Sequence, residues 1–342
     1  MKIRRIKKCS FYEFYGRKHD IWPIIKKDFF ESFAGKHLAT GIYYILLFKR
    51  IISRIDSQSK VITICEMQLW EKAIYAFAKK RGITTIGAQH TIVPVLLLNY
   101  FNSIPDEPAE DMLTLPDYLA TVGETTRKIF IQNGWPKERV FVWGAQRFDL
   151  LRGANKKVNN PKENQVYFVC AFSINVSESK KIIYLLKDAF EGRQLNYKFI
   201  LKGHPLFDIK NFIKNNGIAL DRNLFEYSDE PIDEIIKSAK GLITGSSSVS
   251  LYALYCGVPV IIPRLVGSLD LNPLSYISGI PKYVYSKEEL LDVCNKFSSD
   301  GESSNLLDQN RNFLNDYFYF PYSDQEYLEK IENIGSFKVN AH

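Results

Sequence analysis

Two short polar turns carry the residue types best suited to holding a phosphate. The first, Lys202-Gly203-His204-Pro205, closes the apolar run Phe199-Ile200-Leu201; the second, Gly245-Ser246-Ser247-Ser248, closes Gly241-Leu242-Ile243-Thr244. Lysine and histidine supply N–H donors that can carry charge. Hydroxyls beside backbone N–H groups at a helix start supply neutral ones, and together they suit a phosphate or pyrophosphate. A helical pattern from Val249 to Gly257 follows the second turn, then the apolar run Val258-Pro259-Val260-Ile261-Ile262. Strand, polar turn, helix and strand in alternation predict a parallel sheet with right-handed crossovers. In such sheets ligands lie beyond the carboxyl ends of the strands, so both turns belong on one edge and a nucleotide-sugar or similar activated donor is the expected ligand.

The surrounding pattern extends this edge. A strand over 166–172 leads into the turn Ser173-Ile174-Asn175 and a helix over 177–190, which makes Ser173 and Asn175 further phosphate-binding candidates beside Lys202, His204, Pro205 and Ser246–Ser248. A short strand at 224–227 ends at Ser228-Asp229, and the polar loop 267–273 carries Asp270. Helices are expected at 231–238, 287–297 and 306–317.

The N-terminal half repeats the alternation. Strands are expected at 61–65, read as buried, and at 84–88, 118–122 and 140–144, with helices at 68–81 and 124–133. The first two strands end in ionisable or polar groups, Glu66 and then Gln89-His90, where an open α/β domain keeps its chemistry. Glu66 also reads as a capping acid for the following helix. A helical pattern over 25–55 is interrupted by Gly35 and Gly41, and a long connection over 94–116 carries Asp106, Glu107, Glu110 and Asp111. Residues 151–165, rich in Gly, Asn, Lys and Pro, read as a linker. The organisation expected is therefore an N-terminal Rossmann-like domain over 1–150, the linker 151–165, a C-terminal donor domain over 166–320 and a tail or helix over 321–342. The fold class is α/β, two Rossmann-like domains facing across a cleft.

With 342 residues, 46% hydrophobic and 24% charged, the chain is globular rather than disordered or fibrous. Its net charge of +7 favours anionic partners. The first 27 residues hold nine Lys and Arg against Glu13 and Asp20, interleaved with Phe11, Tyr12, Phe14, Tyr15 and Trp22. They read either as solvated charge or as a segment resting on anionic lipid. No Arg/Lys-plus-aromatic module of a nucleic-acid binder is present. The five scattered cysteines, with no CxxC and no Cys/His cluster, predict buried thiols and no zinc site. No secretory signal and no membrane span are read, so the expected location is cytoplasmic, with the inner membrane face as a candidate surface.

Paired Rossmann-like domains describe the GT-B architecture of glycosyltransferases. The ordered pair Lys202-Gly203-His204-Pro205 and Gly245-Ser246-Ser247-Ser248 resembles the His-Pro and Ser-Ser motifs of bacterial sialyltransferases and Kdo transferases, which use CMP-activated sugars. The stretches Glu66-Met67-Gln68-Leu69-Trp70-Glu71, Ile86-Gly87-Ala88-Gln89-His90-Thr91 and Trp143-Gly144-Ala145-Gln146-Arg147-Phe148 resemble bacterial surface-carbohydrate biosynthesis proteins. Together these resemblances span about residues 60–265. They imply that His204 and Ser246 with Ser247 contact the CMP phosphate, and they bring Gln68, Gln89 and Arg147 in as secondary candidates. The implied activity is metal-independent transfer of a CMP-linked acidic sugar to a glycan or glycolipid acceptor of capsule or lipopolysaccharide, with no cofactor beyond the nucleotide-sugar. The helix after the serines lacks the glutamate that many such transferases use to hold a ribose, and the acidic motif of sialyltransferases is not evident by spelling.

Glycosyl transfer requires a stabilised leaving phosphate and a base or nucleophile. Glu66 is the favoured carboxylate, with His90 assisting and Asp229 and Asp270 as alternatives. A UDP-, GDP- or dTDP-sugar, CDP-glycerol, and a non-catalytic subunit of polysaccharide assembly are the competing readings.

Overall fold

The computed structural model describes residues 11–14, 17–20, 22–94, 100, 113–148, 166–275, 277, 279–299 and 306–334. The chain divides into two compact units, residues 1–87 with 105–118, and residues 88–104 with 119–342. The linker expected at 151–165 and most of the connection expected at 94–116 lie outside the described residues.

The chain opens with an antiparallel hairpin, β1 (Phe11–Phe14) and β2 (Arg17–Asp20), then α1 (Trp22–Ala34) and α2 (Lys36–Ile52). Gly35 does separate the helices. Gly41 does not: it sits within α2, where a single glycine costs only ~1 kcal/mol relative to alanine. Next come β3 (Lys60–Cys65), α3 (Leu69–Lys79) and β4 (Thr84–Gln89). The core between α2 and α3 gathers Ile52, Ile74, Tyr75, Ala78 and Ile83. The expectation of a buried β3 is corrected: it stands first in the sheet order β3-β4-β5-β6, and Ile62 and Ile64 alternate outward while Thr63 and Cys65 point inward.

The chain continues with β5 (Tyr118–Thr121), α4 (Glu124–Gln132) and β6 (Val140–Val142), β5 and β6 pairing in parallel. Then follow β7 (Val166–Ala171), α5 (Val176–Phe190), β8 (Tyr197–Lys202), α6 (Ile209–Asn215), β9 (Phe225–Tyr227), α7 (Ile232–Ile236), β10 (Gly241–Thr244), α8 (Val249–Tyr255) and β11 (Val260–Pro263). The chain closes with β12 (Lys282–Val284), α9 (Lys287–Ser299), α10 (Leu306–Tyr317) and α11 (Asp324–Glu332). Strand β12 and helix α6 are additions to the sequence reading.

Six strands form the second unit's sheet in the order β12-β11-β10-β7-β8-β9, every adjacent pair parallel. Counted from β7, this is the 3-2-1-4-5-6 order of a doubly wound sheet. Alternation along β7 feeds two cores. Phe168, Cys170 and Phe172 pack with Ile182, Leu186 and Phe190 of α5, whereas Tyr167, Val169 and Ala171 pack with Leu251 and Leu254 of α8 and Leu314 of α10.

Tyr319 and Tyr327 reach back to the segments that follow β5 and β6. Tyr319 N–H donates to Val122 O at 2.9 Å, Ala145 N–H to Tyr319 O at 2.8 Å, and Trp143 Nε1 to Tyr327 O at 3.0 Å. Gly144, at φ 142°, leaves room for this crossing, because a Cβ there would lie 2.6 Å from the Tyr327 ring.

Candidate functional site

In the second unit the chain winds one way through β7, β8 and β9 and the other way through β10, β11 and β12. The reversal lies between β7 and β10, whose carboxyl ends align at Ala171 and Thr244. Lys202 pairs with Ala171, so the loops after β7, β8 and β10 leave from one edge. This edge carries Ser173, Lys202, His204 and Ser246, and it is the place where doubly wound sheets hold ligands.

A residue not singled out from sequence sits at the centre of the reversal. Glu178, the third residue of α5, is 4% exposed and accepts from Ser173 Oγ at 2.6 Å through Oε2. Its Oε1 accepts from Ser246 N–H at 3.0 Å and Ser246 Oγ at 2.7 Å. The two serine-bearing turns are thus joined by one buried carboxylate through three hydrogen bonds, the form of satisfaction a buried acid requires. Gly245 makes the approach feasible, since a Cβ there would lie 2.4 Å from the Glu178 carboxyl carbon. Asn175 caps α5 through Oδ1, which accepts from Glu178 N–H at 3.2 Å. The sequence signal was Asn-x-x-Glu at a helix start, which reads locally as a capping box.

The loop after β11 is laced to the same turn. Asn272 Nδ2 donates to Gly245 O at 2.5 Å, its Oδ1 accepts from Ser250 Oγ at 3.0 Å, and Leu271 N–H donates to Ser246 Oγ at 3.2 Å. Asp270 forms an ion pair with Arg264, whose guanidinium lies 4.2 Å from the Tyr283 ring centre. Glu178, Gly245, Arg264, Ser268 and Asp270 line a cavity of about 140 Å³. Ser248 occupies the N-cap of α8 in helical conformation and makes no side-chain cap bond, while Ser247 Oγ accepts from Val249 N–H at 3.3 Å.

His204 and Pro205 are exposed. His204 Nδ1 accepts from Leu206 N–H at 3.1 Å. In a neutral ring that bond leaves the proton on Nε2, an N–H donor directed away from the turn. Lys202 Nζ donates to Ser228 O at 3.4 Å. Asp229, fully exposed, pairs with Lys210 at 2.7 Å, and the Lys210 hydrogen bond and charge hold its carboxyl below the usual range.

The remaining candidates divide between the units. In the second, Gln89 is buried and bridges Val122 N–H, at 3.0 Å, to Thr91 O, at 2.9 Å. Half-buried His90 accepts at its backbone O from Arg147 Nη1 at 3.1 Å. In the first, Glu66 is half-buried and Gln68 is the exposed N-cap of α3. The capping acid is Glu71 rather than Glu66: its Oε2 accepts from Glu66 N–H at 2.9 Å and Gln68 N–H at 3.1 Å. Between them Met67 has φ 59°, a left-handed conformation uncommon outside glycine. Burial pushes the Glu71 carboxyl above its ordinary value and the Cys65 thiol up to about 12. Among the described residues no group of three His, Cys, Asp or Glu is placed to hold a metal ion.

No family model and no curated protein matches the chain. Solved structures do. A UDP-GlcNAc 2-epimerase from Methanocaldococcus jannaschii, in complex with UDP-GlcNAc and UDP, is similar over 89% of this chain and 82% of its own, at 16% identity and TM-score 0.55. MnaA of S. aureus with UDP matches over 88% and 79%, at 14% identity and TM-score 0.54. The fold is GT-B. A UDP-GlcNAc 2-epimerase from Neisseria meningitidis bound to UDP-GlcNAc shares that fold over 86% and 80%, at 12% identity and TM-score 0.52. These likenesses are of architecture, and the GT-B chain described here carries its own residues at the sheet reversal.

Proposed function

We propose that this protein is a sugar-nucleotide enzyme that takes a UDP-linked sugar at the reversal of the second unit's sheet and transfers the sugar to a glycan or glycolipid acceptor. The observation that carries the reading is the 3-2-1-4-5-6 order, with the loops bearing Ser173, Lys202, His204 and Ser246 on one edge. Ser173 and Ser246 hold the turn by donating to Glu178. Lys202, the Nε2–H of His204 and the Ser247–Ser248 segment then receive the diphosphate through charge-assisted and neutral hydrogen bonds. Pro205 stiffens the turn that presents His204. UDP replaces the CMP-linked donor of the motif resemblance because structures sharing the fold hold UDP or UDP-GlcNAc. Glu66 remains the proposed catalytic carboxylate, with His90 assisting.

A second reading, 2-epimerisation of a UDP-sugar, is favoured by the same structures. The two differ in what becomes of the nucleotide: an epimerase converts the UDP-sugar without consuming it, whereas a transferase releases UDP in proportion to acceptor.

The test is thermal stabilisation by UDP, UMP, CMP, CDP, GDP and dTDP, on the wild type and on His204→Ala. A ligand that binds only the native state raises the midpoint. The expected result is stabilisation by UDP that His204→Ala removes. Stabilisation by CMP alone would return the donor to the acidic-sugar class, and no stabilisation by any nucleotide would overturn the reading. With UDP-GlcNAc as donor, chromatography of the nucleotide products separates transfer from epimerisation.

A further inference from the structure

The first unit carries an apolar surface that its own core does not cover. On α2, Leu38, Ile42, Ile45 and Leu46 recur at i, i+4, i+7 and i+8, the spacing of one helix face. All four are exposed, Leu46 at 63%. Other positions of the same helix, Phe48 and Ile52, pack with Ile74 and Tyr75 of α3, so α2 presents apolar groups both to the core and to the outside. A surface helix of a globular protein is ordinarily polar on its outer face. On α1, Lys26, Phe30 and Phe33 share a face at the same spacing, and both rings are exposed, Phe33 at 55%. The two helices pack against each other.

Charge is segregated to the same region. Residues 1–54 hold 13 Lys and Arg against 4 Asp and Glu, a net +9 in a chain whose total is +7, which leaves the rest of the chain at −2. Lys26, Lys27, Lys36, Lys49, Arg50 and Arg54 are exposed on or beside α1 and α2, against Asp28 and Glu31. Glu31 is engaged at the start of α2, accepting from Lys36 N–H at 3.2 Å.

No helix among the described residues is long and apolar enough to cross a membrane. A helix that does not span, with an exposed apolar stripe flanked by cations, suits the headgroup layer of an anionic bilayer. We propose that the α1–α2 pair docks this protein on an anionic phospholipid surface. Leu38, Ile42, Ile45 and Leu46 enter the acyl boundary, and Lys26, Lys27, Lys49 and Arg50 meet lipid phosphates. A second copy of the chain is the poorer occupant, because pairing this face with itself brings like charges together. The proposal stands apart from the nucleotide-sugar reading and is tested without nucleotide.

The experiment is co-sedimentation of the full chain with vesicles of phosphatidylcholine alone or with about one third phosphatidylglycerol, at low and high salt. The wild type is expected to pellet with the anionic vesicles and to be released by salt. Ile42→Glu with Leu46→Glu is expected to weaken binding at least ~tenfold, with circular dichroism and the thermal midpoint reporting that the fold persists. Lys49→Glu with Arg50→Glu, which leaves the apolar stripe intact, is expected to weaken it at least ~tenfold as well and carries the test if the first variant does not fold. Failure to pellet with anionic vesicles, or binding unchanged in both variants, overturns the proposal. So does a vesicle-free dimer in light scattering that Ile42→Glu with Leu46→Glu converts to monomer, since the face would then belong to a second copy.

Discussion

Glu71 in the first unit and Glu178 in the second occupy the same local position and do different things with it. Each is the third residue of a helix that follows a sheet strand, each helix is preceded by an amide residue at the N-cap, and each carboxyl is buried, at 0% and 4% exposure. Glu71 bonds within its own neighbourhood, to the amides of Glu66 and Gln68 among others, and its Oε1 has no hydrogen-bond partner among the described residues. Glu178 reaches Ser246, 68 residues away, and uses both oxygens. A short-range cap leaves a buried acid half satisfied; a long-range partner completes it and in doing so joins two strands at the sheet reversal.

The comparison breaks most readily at Glu178. Glu178→Ala leaves the Ser173 and Ser246 donors without their acceptor and opens a void, and is expected to cost about 3 kcal/mol in urea denaturation. Glu71→Ala also opens a void, but it strips only short-range bonds from an acid that is half satisfied, and is expected to cost less, about 1–2 kcal/mol. Equal losses would remove the distinction. Gly245→Ala forces a Cβ against the Glu178 carboxyl and is expected to cost about 1–3 kcal/mol. Most of that cost should vanish on the Glu178→Ala background, a coupling that a double-mutant cycle reads. Asn175→Ala, which removes the cap of α5, is expected to cost about 1 kcal/mol whether or not Glu178 is present.

Acid titration sharpens the first-unit side. The Glu71 carboxyl is raised above its ordinary 4.5, chiefly by burial, so the unfolded chain releases that proton before the folded one does. Its contribution is fully present below about pH 4.5 and is lost as pH rises through the folded value. The wild type should therefore lose stability relative to Glu71→Gln over that rise, as urea midpoints across pH 4 to 7 would show; a parallel pair of profiles would refute it. The smallest effect is expected at Asp229. Its pair with Lys210 is exposed, and Asp229→Asn should leave the denaturation midpoint where it was. A loss of nucleotide stabilisation in that variant would then be a property of the site.

Periodicity made most elements of the second unit legible. The strand expected at 166–172 forms over 166–171, the apolar run Phe199-Ile200-Leu201 lies within a strand over 197–202, and the helix expected at 177–190 begins at Val176. Apolar runs that short, bounded by polar turns, have few alternatives in an α/β chain. The three-residue β12 escaped because Lys282-Tyr283-Val284 is not an apolar run. The exposed face of β3 escaped because Val61-Ile62-Thr63-Ile64-Cys65 spells a buried strand, and only the packed fold shows that the face carrying Ile62 and Ile64 is left uncovered. At the candidate site the turns were legible as turns. Glu178, Asn272 and Arg264 were not, since each acts on residues that are distant in sequence or lie in an irregular loop.

The sequence by itself determined the alternation of strands and helices, the shared edge of the Lys202–Pro205 and Gly245–Ser248 turns, and the crowding of positive charge into the first 54 residues. These rest on period, turn chemistry and composition, which act over a few residues or over totals. Tertiary structure decided the strand order that places the reversal between β7 and β10, the capture of Ser246 by Glu178, and the exposure of the α2 stripe. Each of these depends on which apolar faces find partners across the fold, and burial is a property of the packed chain rather than of any segment within it.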